Sequence, residues 1–246
     1  MSKGNLAKHS AVLAGLFAPL TISAAELRGC ANPELLLPEE IAGCEAFRMK
    51  RLEEFSAGRQ CARHALGDVG FRNFPVRRNA DRTPHWPEGV VGSITHTIGF
   101  CGAVVASREH VASVGIDAEI VTRVTPEIWS QVLTADDAAR ISALDPADQG
   151  PAAAVVFSAK EAFYKCQFAI SGIFLDYNDV NVELVREEDD AGEFLVSPAT
   201  TTARRFLGDF VARGRYRITD ALALAGVAFT DDDVKAITSG RLRVAS

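Results

Sequence analysis

A five-residue segment echoes itself across this chain and narrows the folds open to it. Phe55-Ser56-Ala57-Gly58-Arg59 returns 102 residues later as Phe157-Ser158-Ala159-Lys160-Glu161, and each copy has a cation eight residues after its phenylalanine, Arg63 and Lys165. A repeat near half the length of a 246-residue chain points to a duplicated unit. Each copy runs into sequence of helical character. The expected fold class is α+β, with two similar α/β subdomains about a pseudo-twofold axis. The active site is expected between them, drawing residues from both. The expected division is 1–109 and 110–246, with the linker around Arg108 to His110.

The pattern along the chain fills in that plan. Residues 11–27 read as one or two short strands. A long helical stretch opens at Pro38-Glu39-Glu40, with proline in the first turn and acids at the positive end of the helix dipole. It is expected to run to about Leu66, with Cys44, Phe47, Leu52, Phe55, Ala62 and Leu66 near one face. Residues 71–89 read as loop; 90–95, 101–107 and 112–120 read as strands; 134–143 and 151–169 read as helices. Segments 180–185 and 193–196 form a hairpin around an acidic turn, 215–219 and 221–229 are the last strands, and Asp231-Asp232-Asp233 caps a short terminal helix.

Charge and cysteine usage exclude several classes. Lys plus Arg is 26 against 32 for Asp plus Glu, a net charge of −6 that disfavours nucleic acid as a general partner. Arginine supplies 20 of the 26 cations, and its planar fork suits phosphate, so local anion sites stay open on an acidic body. The five cysteines are odd in number and show no CxxC spacing, which reads as reduced thiols, mostly buried, in a cytoplasmic protein. No apolar run reaches the roughly 18 residues of a membrane span. Lys3, Lys8 and His9 before an apolar stretch imitate a secretory leader. Pro19 interrupts that stretch, however, and 21–24 alternates like a strand, so no leader is expected.

Four segments carry chemistry. Asp117 and Glu119 are i and i+2 on a strand, hence on one face, with Val114 and Ile116 opposite. Paired carboxylates raise each other's pKa unless a cation joins them. That leaves either a solvent-facing edge pair or a hard-cation site needing a further oxygen ligand. Glu161 is the best third ligand. It stands at i,i+4 from Lys165, a spacing that serves a surface ion pair as well as a metal-and-phosphate pair. Thr95 and His96 follow the small residues Gly92 and Ser93, which let backbone approach a ligand. Arg51 and Arg59 lie about 80° apart on a helix, and with Arg78 in the following loop they read as a solvated cationic face or a multi-phosphate clamp.

Together, Arg59-Gln60-Cys61-Ala62-Arg63, the run from Trp86 to His96, Gly115-Ile116-Asp117-Ala118-Glu119 and Phe157-Ser158-Ala159-Lys160-Glu161 with Tyr164-Lys165 resemble the 4′-phosphopantetheinyl transferase superfamily. Within it they are similar to the enterobactin synthase component D branch, the monomeric double-length class. The resemblance covers roughly residues 12–185. It implies transfer of the 4′-phosphopantetheine arm of coenzyme A to a serine of an apo acyl, peptidyl or aryl carrier, with release of adenosine 3′,5′-bisphosphate. Such chemistry serves siderophore, nonribosomal peptide and polyketide biosynthesis. The resemblance also implies Mg²⁺ held by Asp117, Glu119, Glu161 and the Ala118 carbonyl. Glu161 is then the base for the carrier serine, and Lys165 the stabiliser of the pyrophosphate. His96 with Thr95 would hold the 3′-phosphate, Arg51, Arg59 and Arg78 would clamp coenzyme A, and Lys160 would add charge nearby. A metal-dependent phosphodiesterase or nuclease is the alternative. It expects a lysine two residues after the acid, and neither Glu119-Ile120-Val121 nor Glu161-Ala162-Phe163 supplies one. A non-catalytic carrier-binding protein is the third reading, set against the presence of all three carboxylates and both lysines.

Overall fold

The computed structural model describes residues 6–219 and 221–244, so Lys3 lies outside the described residues. No helix among them is long and apolar enough to cross a membrane. The chain forms two compact units, residues 1–110 and 111–246.

The first unit runs β1 (Lys8–His9), α1 (Ala11–Gly15), β2 (Ser23–Arg28), α2 (Pro38–Ile41), α3 (Met49–Asp68), β3 (Val90–Thr97) and β4 (Phe100–Ser107). Its antiparallel sheet has the order β1-β2-β4-β3. Small residues on α3 let helix and sheet close tightly. Cys61, Ala62, Ala65 and Leu66 pack with Ala25, Leu27, Cys101, Ala103 and Val105.

The second unit runs β5 (Ser113–Ile120), α4 (Pro126–Val132), α5 (Ala135–Ser142), α6 (Pro146–Ser171), β6 (Val180–Arg186), β7 (Ala191–Pro198), α7 (Thr201–Leu207), β8 (Ala212–Thr219), β9 (Leu222–Phe229) and α8 (Asp231–Val244). Its antiparallel sheet has the order β5-β9-β8-β7-β6. Val155, Ala159, Ala162 and Phe163 of α6 join Ala225, Val227 and Phe229 in the core.

Both units follow one plan. A strand precedes a long helix, an antiparallel meander follows it, and the last strand of the meander returns beside the first. β4 lies beside β2, and β9 lies beside β5. The two copies of the echo sit on the long helices α3 and α6. The fold is α+β, as the repeat implies.

Several boundaries differ from the sequence reading, each for a local reason. Residues 11–15 are helix rather than strand, because Ser10 caps the turn by accepting from the Leu13 amide. The helix expected over 38–66 is two. Gly43 takes φ +85°, which ends the first piece, and α3 starts afresh after an extended Arg48. Cys44 and Phe47 therefore lie before α3, yet they still pack on Leu52 and Phe55. Helix α6 begins five residues before Pro151, which falls in the second turn and removes a single donor. The short helices α4 and α7 were not anticipated. All five cysteines are free thiols, four of them buried and Cys30 exposed.

Candidate active site

In the second unit, glycine sets how near the key strand comes to its helix. A Cβ at Gly115 would lie 1.9 Å from the Ala162 carbonyl oxygen, so only glycine lets β5 and α6 meet there. One register further on, the side chain at 117 faces α6. The Asp117 Oδ1 accepts from Lys165 Nζ at 2.6 Å, and the same ammonium donates to the Ile116 carbonyl at 3.1 Å. Burial pulls the Lys165 pKa down, but Asp117 and Glu161 outweigh it and leave the ammonium held above its usual range. Glu119 is pushed up to about 7, first by burial and then by Asp117 and Glu161. Three carboxylates thus act on one another, with Lys165 and Arg123 opposing them.

Glu161 stands one helical turn before Lys165 and accepts from the Tyr177 hydroxyl. A pocket of about 120 Å³ opens beside it, lined among others by Glu161, Tyr164, Phe174, Leu175 and Tyr177. Phe174 is 70% exposed, with Ile173 beside it beyond the left-handed cap at Gly172 and Ile170 exposed in the last turn of α6 before it. Lys160 turns the other way. It is 2% exposed, pairs with Asp137 at 2.6 Å and donates to the Tyr177 carbonyl at 2.7 Å. Its charge is therefore committed inside the unit and is not presented to a ligand, which revises the expectation that it adds charge at the substrate.

The carboxylates suit a hard divalent cation in chemistry, since every donor is oxygen. A cation would also relieve the repulsion that lifts Glu119. They are not gathered into a finished cage. Among the described residues, no three His, Cys, Asp or Glu side chains are grouped to hold a metal ion. Asp117 is turned to Lys165 and Glu161 to Tyr177 instead.

In the first unit the cations gather around two phenylalanines. Phe47 and Phe55 meet edge to face at 5.6 Å. The Arg59 guanidinium stacks 4.1 Å over Phe55, while Arg51 and Arg78 lie 5.8 and 5.9 Å over Phe47. Arg78 thus joins the other two from a loop whose sequence carries no periodic signal. Arg59 is 5% exposed, burial draws its pKa down to about 10, and its Nε has no hydrogen-bond partner. A buried guanidinium with an unused donor invites an anion. His96 Nε2 lies 3.1 Å from Arg51 and 3.4 Å from Glu54. Thr95 alternates inward on β3 and is buried, so its hydroxyl is not on the face that His96 occupies.

Sequence reasoning missed Tyr177 and Asp137. Tyr177 meets Glu161 across 16 residues and Asp137 meets Lys160 across 23, separations at which no helical or strand period reports a contact.

An acid cluster beside a lysine in one α+β unit, and an arginine cluster in the other, suit phosphoryl-group chemistry. Comparison with known proteins specifies it. The family profile "4′-phosphopantetheinyl transferase N-terminal domain" matches residues 36–106, and that of the "4′-phosphopantetheinyl transferase superfamily" matches 113–219. The chain is 35% identical over 208 residues to 4′-phosphopantetheinyl transferase Svp of Streptomyces mobaraensis, covering 81% of this chain and 82% of the relative. It is 31% identical to 4′-phosphopantetheinyl transferase PptT of Mycobacterium tuberculosis, over 78% of this chain and 85% of that one. Enterobactin synthase component D of Escherichia coli K12 is 33% identical over 159 residues, 62% of this chain and 72% of that one. A holo-(acyl-carrier-protein) synthase from Bacillus anthracis str. Ames, solved in complex with CoA (3′,5′-ADP), aligns with a TM-score of 0.33 and 16% identity over 49% of this chain and 97% of that one. The chain belongs to the 4′-phosphopantetheinyl transferase superfamily. It is an enzyme that transfers the phosphopantetheine arm to carrier proteins, and the phosphodiesterase alternative is set aside.

Proposed function

We propose that coenzyme A donates the arm, that adenosine 3′,5′-bisphosphate departs, and that Mg²⁺ is required. The observation that carries the reading is the Asp117–Lys165 ion pair standing with Glu119 and Glu161 where β5 and α6 meet over Gly115. Asp117, Glu119 and Glu161, with the Ala118 carbonyl, are the groups that would hold the metal. When bound, Mg²⁺ supplies charge neutralisation at the pyrophosphate and orients the reactants.

The chain's own residues account for the rest. Glu161 takes the proton from the carrier serine hydroxyl, whose oxygen forms a bond to the phosphorus that carries the pantetheine arm. The bridging P–O bond breaks toward the nucleotide. Lys165 stabilises that departing oxygen and gives it a proton, and Asp117 keeps the ammonium charged and aimed. Arg51, Arg59 and Arg78 bind coenzyme A phosphates, and His96 takes the 3′-phosphate, with Thr95 acting through the strand that presents it. Lys160 contributes by position rather than by contact with phosphate. Ile170, Ile173 and Phe174 offer an apolar face to the carrier helix that presents the serine.

The acceptor is an apo acyl, peptidyl or aryl carrier, met by a monomer in the cytoplasm, with nucleic acid disfavoured by the net charge of −6. The test is incubation with coenzyme A, Mg²⁺ and a panel of apo carriers, read by intact mass. One arm is added to at least one carrier, and chelation of the metal stops it. Absence of any modified carrier, or modification indifferent to chelator, overturns the proposal.

A further inference from the structure

Tyr177 is held from two sides by neighbouring residues of one helix. Lys160 donates to its backbone carbonyl at 2.7 Å, and its hydroxyl donates to Oε1 of Glu161. Lys160 is itself fixed by Asp137, which also accepts from the Thr134 amide at 3.0 Å and the Val182 amide at 2.8 Å. Those bonds tie α5, α6 and β6 to one buried carboxylate. The Tyr177 ring meets Phe157 edge to face at 5.4 Å, and Phe157 lies one turn before Glu161 on α6. The Tyr177 turn is secured at its far end as well, since Asp179 accepts from the Asp176 amide at 2.9 Å and from the Thr200 hydroxyl. A phenol anchored at backbone, ring and hydroxyl has little freedom of its own. Whatever it donates to is held in the same frame.

We propose that Tyr177 is a positioning residue for Glu161, and that Lys160 with Asp137 is the brace that sets Tyr177. Oε1 takes the phenolic hydrogen bond, which leaves Oε2 as the oxygen available to a metal ion. This gives the buried Lys160 a role that its committed charge otherwise denies it. The inference rests on the reading of Glu161 as a metal ligand. Groups that hold a ligating carboxylate in place typically change metal affinity by about 10- to 100-fold when removed.

The test uses the whole protein without coenzyme A or carrier. Binding of Mn²⁺ is measured by calorimetry and by electron paramagnetic resonance for wild type, Tyr177→Phe and Glu161→Gln. Tyr177→Phe keeps the ring against Phe157, so its thermal midpoint stays close to wild type and its coenzyme A affinity in chelator is unchanged. Its Mn²⁺ affinity falls about tenfold, and Glu161→Gln falls further. If Tyr177→Phe binds Mn²⁺ as well as wild type or better while Glu161→Gln is weakened, the positioning role is overturned and the ligand reading stands. If Glu161→Gln binds as wild type, the ligand reading fails and this inference fails with it. Should Tyr177→Phe not fold, Phe157→Leu loosens the ring while leaving the hydroxyl. It then carries the same expectation at a smaller size, and wild-type affinity in that variant overturns the proposal.

Discussion

The two long helices each carry a Phe-Ser-Ala step, and the residues that follow it differ in chemistry. On α3, Phe55-Ser56-Ala57-Gly58-Arg59 leads into a face where Arg51, Arg59 and Arg78 crowd two phenylalanines. On α6, Phe157-Ser158-Ala159-Lys160-Glu161 leads into a face where Glu161 and Lys165 meet Asp117 and Glu119 from β5. The shared part is structural in both. Ser56, Ala57 and Gly58 are buried, as are Ser158 and Ala159, because a small-residue surface is what lets a helix lie close on a sheet. The fourth and fifth positions diverge. Gly58 sits against Ile94 with no room to spare, whereas Lys160 reaches a buried acid. Arg59 is buried with an unused donor, whereas Glu161 is half-buried at the rim of a pocket. One scaffold carries arginines on this face in one copy and carboxylates with a lysine in the other.

The largest effect expected from breaking this division is at Asp117. Asp117→Asn removes the charge that holds Lys165 and one candidate ligand, and turnover falls at least about a hundredfold, the scale of losing a group aimed at developing charge. Steady-state transfer at raised Mg²⁺ checks it, since excess metal does not restore the rate. On the cationic side, His96→Ala raises the KM for coenzyme A about tenfold with kcat held, because a 3′-phosphate contact is remote from the reacting bond. Dephospho-coenzyme A is indifferent to that variant; equal losses with both substrates place His96 in another role. Phe174→Asp raises the KM for carrier severalfold and leaves coenzyme A binding and the thermal midpoint alone, as its 70% exposure implies. A fall in the thermal midpoint instead makes Phe174 part of the core.

The smallest effect is on stability and pH. Glu119 sits at about 7 in the folded protein against an ordinary 4.5. A carboxyl raised on folding binds more protons in the native state, so metal-free stability declines as pH rises from about 4.5 through about 7. Thermal melts across that window show the decline, Glu119→Gln flattens it, and Mg²⁺ raises the midpoint most at the alkaline end.

Much of this was legible before any coordinates. The echo located both long helices, and the period-two spacing of Asp117 and Glu119 put both on one strand face. What stayed hidden shares a cause. Tyr177 and Asp137 act through contacts between elements joined by irregular chain, and no local period encodes where such a loop returns. The break after α2 depends on the backbone angle at Gly43, which glycine permits without announcing. The inward turn of Lys160 was missed because its spacing to Lys165 reads equally well as two outward charges.

The division itself is tested most directly by calorimetric titration of coenzyme A in chelator. Wild type, Arg59→Met and Asp117→Asn are compared at one pH and salt. With metal removed, phosphate recognition rests on the cationic unit. Affinity therefore falls at least about tenfold in Arg59→Met, the scale of a lost charge-assisted contact, and is unchanged or improved in Asp117→Asn. A loss in Asp117→Asn with none in Arg59→Met contradicts the account.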